Sequence, residues 1–186
     1  MTLITLKEVV DLFVMTVLLG YIFMTHVRRP DADFMRERQG FSTRDFSFAV
    51  LIAAPGIILH ELAHKFVALA FGMSATFKAW YFGLFLGVLL KIVNSPLIIF
   101  APGYVELNGG NDLTQAIVAF AGPFLNLVLF AIAFIVLKQK RRFSKNEYYA
   151  WYLTKNTNLF LFIFNLLPIP PLDGSKVFAH LFSAIF

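Results

Sequence analysis

Residues 46–71 read FSFAVLIAAPGIILHELAHKFVALAF, and the reading of this run decides the fold. Written as an α-helix it is about 39 Å long, enough to cross a hydrocarbon core of about 30 Å. The same helix sets His60 about 21 Å from Phe46 and about 16 Å from Phe71, so His60, Glu61 and His64 fall deep within the span. A buried carboxylate is costly unless paired or metal-bound, which makes an intramembrane acid a functional candidate from the outset. Residues four apart share one helical face, so His60 and His64 can offer two imidazole nitrogens to one tetrahedral zinc ion. Glu61 then projects beside the open coordination position, where it can take a proton from activated water and later deliver it to a leaving amine. Two readings without catalysis stand beside this one: a chance histidine pair on a surface helix, and a polar contact between helices with no metal.

The rest of the 186-residue chain fits a polytopic membrane protein. It is 59% hydrophobic and only 15% charged, and its 23 phenylalanines exceed what a soluble domain of this size can hide. The net charge of +5 comes from Lys and Arg at the ends of apolar runs, without interleaved aromatics or a nucleic-acid motif, so membrane lipids and not nucleic acid are the expected partners. With no cysteine, there is no disulfide and no thiolate metal site; a transition metal must be held by His and carboxylate groups. The first apolar run meets Arg28, Arg29 and Pro30 with no small-residue cleavage site, which disfavours a removable signal peptide.

Four runs near spanning length predict at least four transmembrane helices: residues 9–25, 46–71, 115–137 and 150–167. Trp151, Tyr148, Tyr149 and Tyr152, beside Lys138, Lys140, Arg141, Arg142 and Lys145, read as an interfacial belt around a short loop. The fourth run breaks at Pro168, Pro170 and Pro171 and resumes over residues 172–186. A break at membrane depth is tolerated only where freed backbone faces protein or a watered cavity, so it points to a site. Residues 72–111 are apolar but interrupted by Lys78 and Lys91, between which only about 18 Å of helix fits. A re-entrant or interfacial element is expected there, with residues 96–107 forming two short strands around Pro102 and Gly103, or else a short interfacial helix and a loop. Gly83 and Gly87 have the spacing of a small-residue helix contact. The domain reading is an N-terminal helix and loop over 1–45 followed by a catalytic core over 46–186.

Two histidines leave zinc one protein ligand short, and a carboxylate usually supplies it. Asp173 is the best candidate, delivered by the extended segment from Pro168 to Leu172 and followed by Gly174; its plainer reading is the N-cap of the last helix. Asp11 and Glu106 are weaker candidates near predicted span edges. His180 reads as a packing histidine and His26 as interfacial.

Three segments together resemble the site-2 protease family of intramembrane metalloproteases: His60-Glu61-Leu62-Ala63-His64; Ala121-Gly122-Pro123-Phe124-Leu125-Asn126; and Asn165-Leu166-Leu167-Pro168-Ile169-Pro170-Pro171-Leu172-Asp173-Gly174. The resemblance covers roughly residues 46 to 180. It implies an all-α polytopic membrane protein with a three-helix catalytic core and a small membrane-associated β element, here within residues 72–111. It also implies zinc held by His60, His64 and Asp173, with Glu61 as acid/base and Asn165 near the developing oxyanion. Asn126 is expected either to contact substrate or to make an interhelical hydrogen bond. The β element is expected to hold an unwound transmembrane protein substrate by strand addition.

The implied activity is intramembrane endopeptidase cleavage in a multi-pass protein, with a cell-membrane location and the active-site mouth toward the cytosol. The positive-inside rule points the other way, because the loops at 26–45 and 138–149 each carry five Lys or Arg; acids mixed into the first loop, Asp31, Asp33, Glu37 and Asp45, weaken that signal. A metal transporter would use His60, His64 and Asp173 as a transit site but gives Glu61 no task, and no internal repeat is visible. An inactive relative that only binds helices is the other alternative; every expected catalytic residue type is present.

Overall fold

The computed structural model describes residues 3–25, 27, 41–95 and 101–185. The expected place of His26, the charges at positions 28–40, residues 96–100 of the expected strand pair, and Phe186 lie outside the described residues. In chain order the elements are α1 (Leu6–Phe23), α2 (Thr43–Ala70), β1 (Ser74–Ala79), α3 (Tyr81–Ile92), β2 (Gly103–Asn108), α4 (Asp112–Gln139), α5 (Lys145–Asn165) and α6 (Asp173–Ile185). Each of the four expected spans is a helix, but each starts three to five residues ahead of its apolar run. The reason is capping. Thr5 and Glu8 form a reciprocal box, and Ser42, Asn111 and Ser144 accept from the backbone N–H groups of Asp45, Thr114 and Glu147. A cap satisfies the otherwise unpaired first N–H groups, so the helix begins where the cap is and not where hydrophobicity rises.

Two helices, α2 and α4, are long and apolar enough to cross a membrane. At 28 residues each they are about 42 Å long. Helix α1 carries Lys7, Glu8 and Asp11, and α5 carries polar residues along much of its length, including Lys155, Asn156 and Asn158, which lowers both below the same standard. Helix α4 packs against α2, α5 and α6, while α1 lies on α2, α3 and β1. One core joins Met15 and Leu19 of α1, Ala54 of α2, Phe77 of β1 and Leu84 of α3; a second joins Ala68, Met73, Ala75 and Val118. Large apolar side chains also face outward, among them Phe13, Leu51, Phe82, Phe85, Phe124 and Phe134. So much exposed apolar surface is costly in water and suits lipid.

The β element differs in detail from the expected strand pair. Strand β2 begins after the Pro102 turn as anticipated, but its partner is β1, paired antiparallel from Ser74↔Asn108 to Ala79↔Gly103. The short interfacial helix also exists, as α3 between the two strands. Alternation explains β1: Ala75, Phe77 and Ala79 face the core with Gly103, Val105 and Leu107, while Ser74, Thr76 and Lys78 face out with Tyr104 and Glu106. Lys78 thus belongs to a strand's polar face, where the hydrogen bond it donates to Glu106 at 2.6 Å raises its pKa above the ordinary value. Gly83 does not meet another helix in a small-residue contact. A Cβ there would lie 2.0 Å from the Ala101 carbonyl oxygen, so Gly83 lets α3 fold back onto the strand connection.

Candidate metal centre

His60 and His64 lie one turn apart on α2, both buried, with ring centroids 4.8 Å apart. Asp173, the first residue of α6, points its Oδ2 at both: 2.9 Å from His60 Nε2 and 3.2 Å from His64 Nε2. The two Nε2 atoms are 3.2 Å from each other. Instead of capping its own helix, the Asp173 carboxylate joins the histidines.

The other ring nitrogens fix the tautomers. His64 Nδ1 lies 2.7 Å from the Val118 carbonyl oxygen, which can only accept, so Nδ1 carries the proton. His60 Nδ1 lies 2.6 Å from Asn126 Oδ1. The Asn126 amide cannot be turned around: its Nδ2 donates to the Gly56 carbonyl at 3.0 Å and to Asn158 Oδ1 at 2.9 Å. Asn158 is fixed in turn by donating its Nδ2 to the Thr154 carbonyl at 2.8 Å. With Nδ1 protonated, each ring in its neutral form turns an Nε2 lone pair toward the Asp173 oxygen, and a proton or a metal ion among the three atoms supplies the positive charge that holds them together.

A zinc ion suits this set. The donors are two imidazole nitrogens and a carboxylate, and their separations approximate the edge of roughly 3.3 Å expected for a tetrahedron with metal–ligand bonds of about 2.0–2.1 Å. Among the described residues this is the one group of three His, Asp or Glu side chains close enough to hold a metal. Helix α4 leaves room for it through Gly122. A Cβ there would stand 2.4 Å from His64 Nε2 and 2.6 Å from His60 Nε2, so any side chain would press on both ligand atoms.

The remaining expected residues divide. Glu61 is half-buried, beside His60 on α2. Asn126 is wholly buried, and its amide is engaged by His60, Gly56 and Asn158. These are the contacts of the interhelical reading. Asn165 ends α5 and joins no hydrogen bond of the cluster. Asp11 and Glu106 serve elsewhere: Asp11 accepts from Ala79 N and the Tyr81 hydroxyl, and Glu106 pairs with Lys78. His180 is not a packing histidine; it reaches Asp112 of α4 at 2.8 Å and is partly exposed. Asn158 was missed by sequence reasoning. Its signal was available, because an amide within a candidate span must find a polar partner.

The C-terminal part of the chain, residues 143–186, matches the family model for peptidase family M50. Three similar proteins share the name "Putative zinc metalloprotease". One from Methanocaldococcus jannaschii is 34% identical over 173 residues, covering 92% of this chain and 83% of its own. One from Bacillus subtilis is 31% identical over 150 residues, covering 72% and 68%. One from Mycobacterium tuberculosis is 33% identical over 135 residues, 69% of this chain but only 29% of that longer protein.

Proposed function

The chain belongs to peptidase family M50, the site-2 protease family, and from that premise we propose that it is a zinc-dependent endopeptidase cutting transmembrane proteins within the bilayer. The observation that carries the reading is the convergence of two Nε2 lone pairs and the Asp173 carboxylate on one point, with tautomers set by Val118 and Asn126. His60, His64 and Asp173 would hold the zinc named in the relatives. Bound there, zinc acts as a Lewis acid and lowers the pKa of a water to around 7.

The chain's own side chains do the rest. The Glu61 carboxylate takes the proton from the attacking water and passes it to the nitrogen of the departing amine. Asn126 and Asn158 keep His60 Nδ1 protonated and its Nε2 aimed at the centre, the outer-shell task that sets ligand basicity. Asn165 donates its amide to the oxygen that gains charge as the scissile carbonyl becomes tetrahedral. Residues 46–186 form the catalytic core in this reading, with the Thr43–Ala70, Asp112–Gln139 and Lys145–Asn165 helices as its three spans and α1 as a fourth; residues 72–111 lie at the cytosolic face of the cell membrane. An extended substrate segment adds to the sheet, which exposes carbonyls that a helical substrate hides in its own hydrogen bonds.

Glu61→Gln tests this directly. The amide keeps the shape but cannot accept the proton, so purified protein should retain zinc and bind substrate while cleavage falls by roughly 10²–10⁴. A variant with normal zinc content and near-normal cleavage would sink the mechanism and favour the transporter reading.

A further inference from the structure

Helix α1 carries two carboxylates that the metal centre does not use. Glu8 and Asp11 are each 2% exposed, and Lys65, the residue after His64, is 1% exposed. Glu8 Oε1 accepts from Lys65 Nζ and, at 2.7 Å, from the backbone N–H of Phe77. Asp11 accepts from the N–H of Ala79 at 3.3 Å and from the Tyr81 hydroxyl at 2.6 Å. Phe77 and Ala79 are alternate residues of β1, and their N–H groups point away from β2, because in an antiparallel pair the groups of one residue face one side. The two acids, three apart on α1, therefore meet successive outward N–H groups of the strand.

A two-stranded sheet has two open edges, each a template for another strand. Here one edge is closed by side chains. The other is β2, where the antiparallel pattern turns the N–H and C=O groups of Val105 and Leu107 outward; none of them has a hydrogen-bond partner among the described residues. The same Glu8 oxygen bridges Lys65 on the histidine-bearing helix and Phe77 on the strand, which ties the sheet to α2 one residue from a metal-centre histidine.

We propose that Glu8 and Asp11 are positioning residues that close the β1 edge and fix the sheet against α2, so that an extended peptide docks only on β2 and in one register relative to the metal centre. This rests on the strand-addition reading above. Neither acid touches the reacting atoms. They decide which peptide bond arrives there.

The experiment uses zinc-loaded full-length protein in detergent with a transmembrane substrate carrying single cysteines; the chain itself has none. Tyr104→Cys on β2 reports docking by disulfide formation. Glu8→Gln combined with Lys65→Met removes the ion pair without stranding a buried charge, Asp11→Asn weakens the second anchor, and Tyr81→Phe removes a single partly exposed hydroxyl. Zinc content, the distribution of cleaved bonds, KM and kcat are read for each. The expected result is unchanged zinc, cleavage spread from one bond to its neighbours, and a KM raised roughly tenfold with a smaller change in kcat, the shift being least for Tyr81→Phe. Cleavage of the same single bond with unaltered KM in Tyr81→Phe and in whichever other variants retain zinc overturns the proposal. Absence of any cross-link at Tyr104→Cys in otherwise unaltered, active protein removes the strand-addition reading itself. A cross-link there together with indifferent α1 variants removes only the role of α1.

Discussion

Two buried polar clusters sit inside this largely apolar molecule, and they close differently. Around α1, the Glu8 carboxylate meets the Lys65 ammonium and a backbone N–H, and Asp11 meets an N–H and a hydroxyl: every acceptor has a donor. Around His60 the hydrogen bonds run inward from Thr154 through Asn158 and Asn126, then end where two Nε2 atoms and a carboxylate oxygen converge. A satisfied network holds shape, whereas one that ends in converging acceptors awaits a cation. In the proposed function, the difference separates the part of the molecule that positions from the part that reacts.

The comparison is broken most severely at Gly122. Gly122→Ala places a methyl carbon against both Nε2 atoms, so metal binding and cleavage should fall by more than the roughly 10–100-fold that loss of an outer-shell partner costs. Metal analysis of the purified variant beside its cleavage rate checks this; full zinc occupancy would mean that α4 can back away. Next comes Asn158→Leu, which strands one Asn126 donor and loosens His60. Zinc affinity, read by competition with a chelator, should fall within that 10–100-fold range, and a wild-type value would show that Gly56 alone orients Asn126. The closed cluster should respond least at the metal. Lys65→Met leaves Glu8 buried without its cation, which costs about 3–5 kcal/mol of stability. Resistance to heat in detergent should drop, yet zinc per folded molecule should match the wild type; zinc loss in step with stability would make the two clusters one.

Much of this was legible in the sequence. The HExxH spacing on a long apolar run placed the histidine pair, and the proline break followed by Asp173 named the acid that the structure brings to it. Strand β1 was hidden because six residues of alternation are a weak signal, and because Lys78 reads as an interruption when it is the outward residue of a strand. Asn158 and Lys65 were passed over for one reason: each finds its partner on another part of the chain, Asn126 for the first and Glu8 for the second. Periodicity reports which face is buried. It does not report what waits on the other side.

His64 and its Asp173 contact are separated by 109 residues of chain. At a synthesis rate of about 5–20 residues per second, the histidine pair emerges roughly 5–20 seconds before the carboxylate that completes the proposed ligand set. In the proposed function, the ligand set is therefore complete only after α6 has been made and docked.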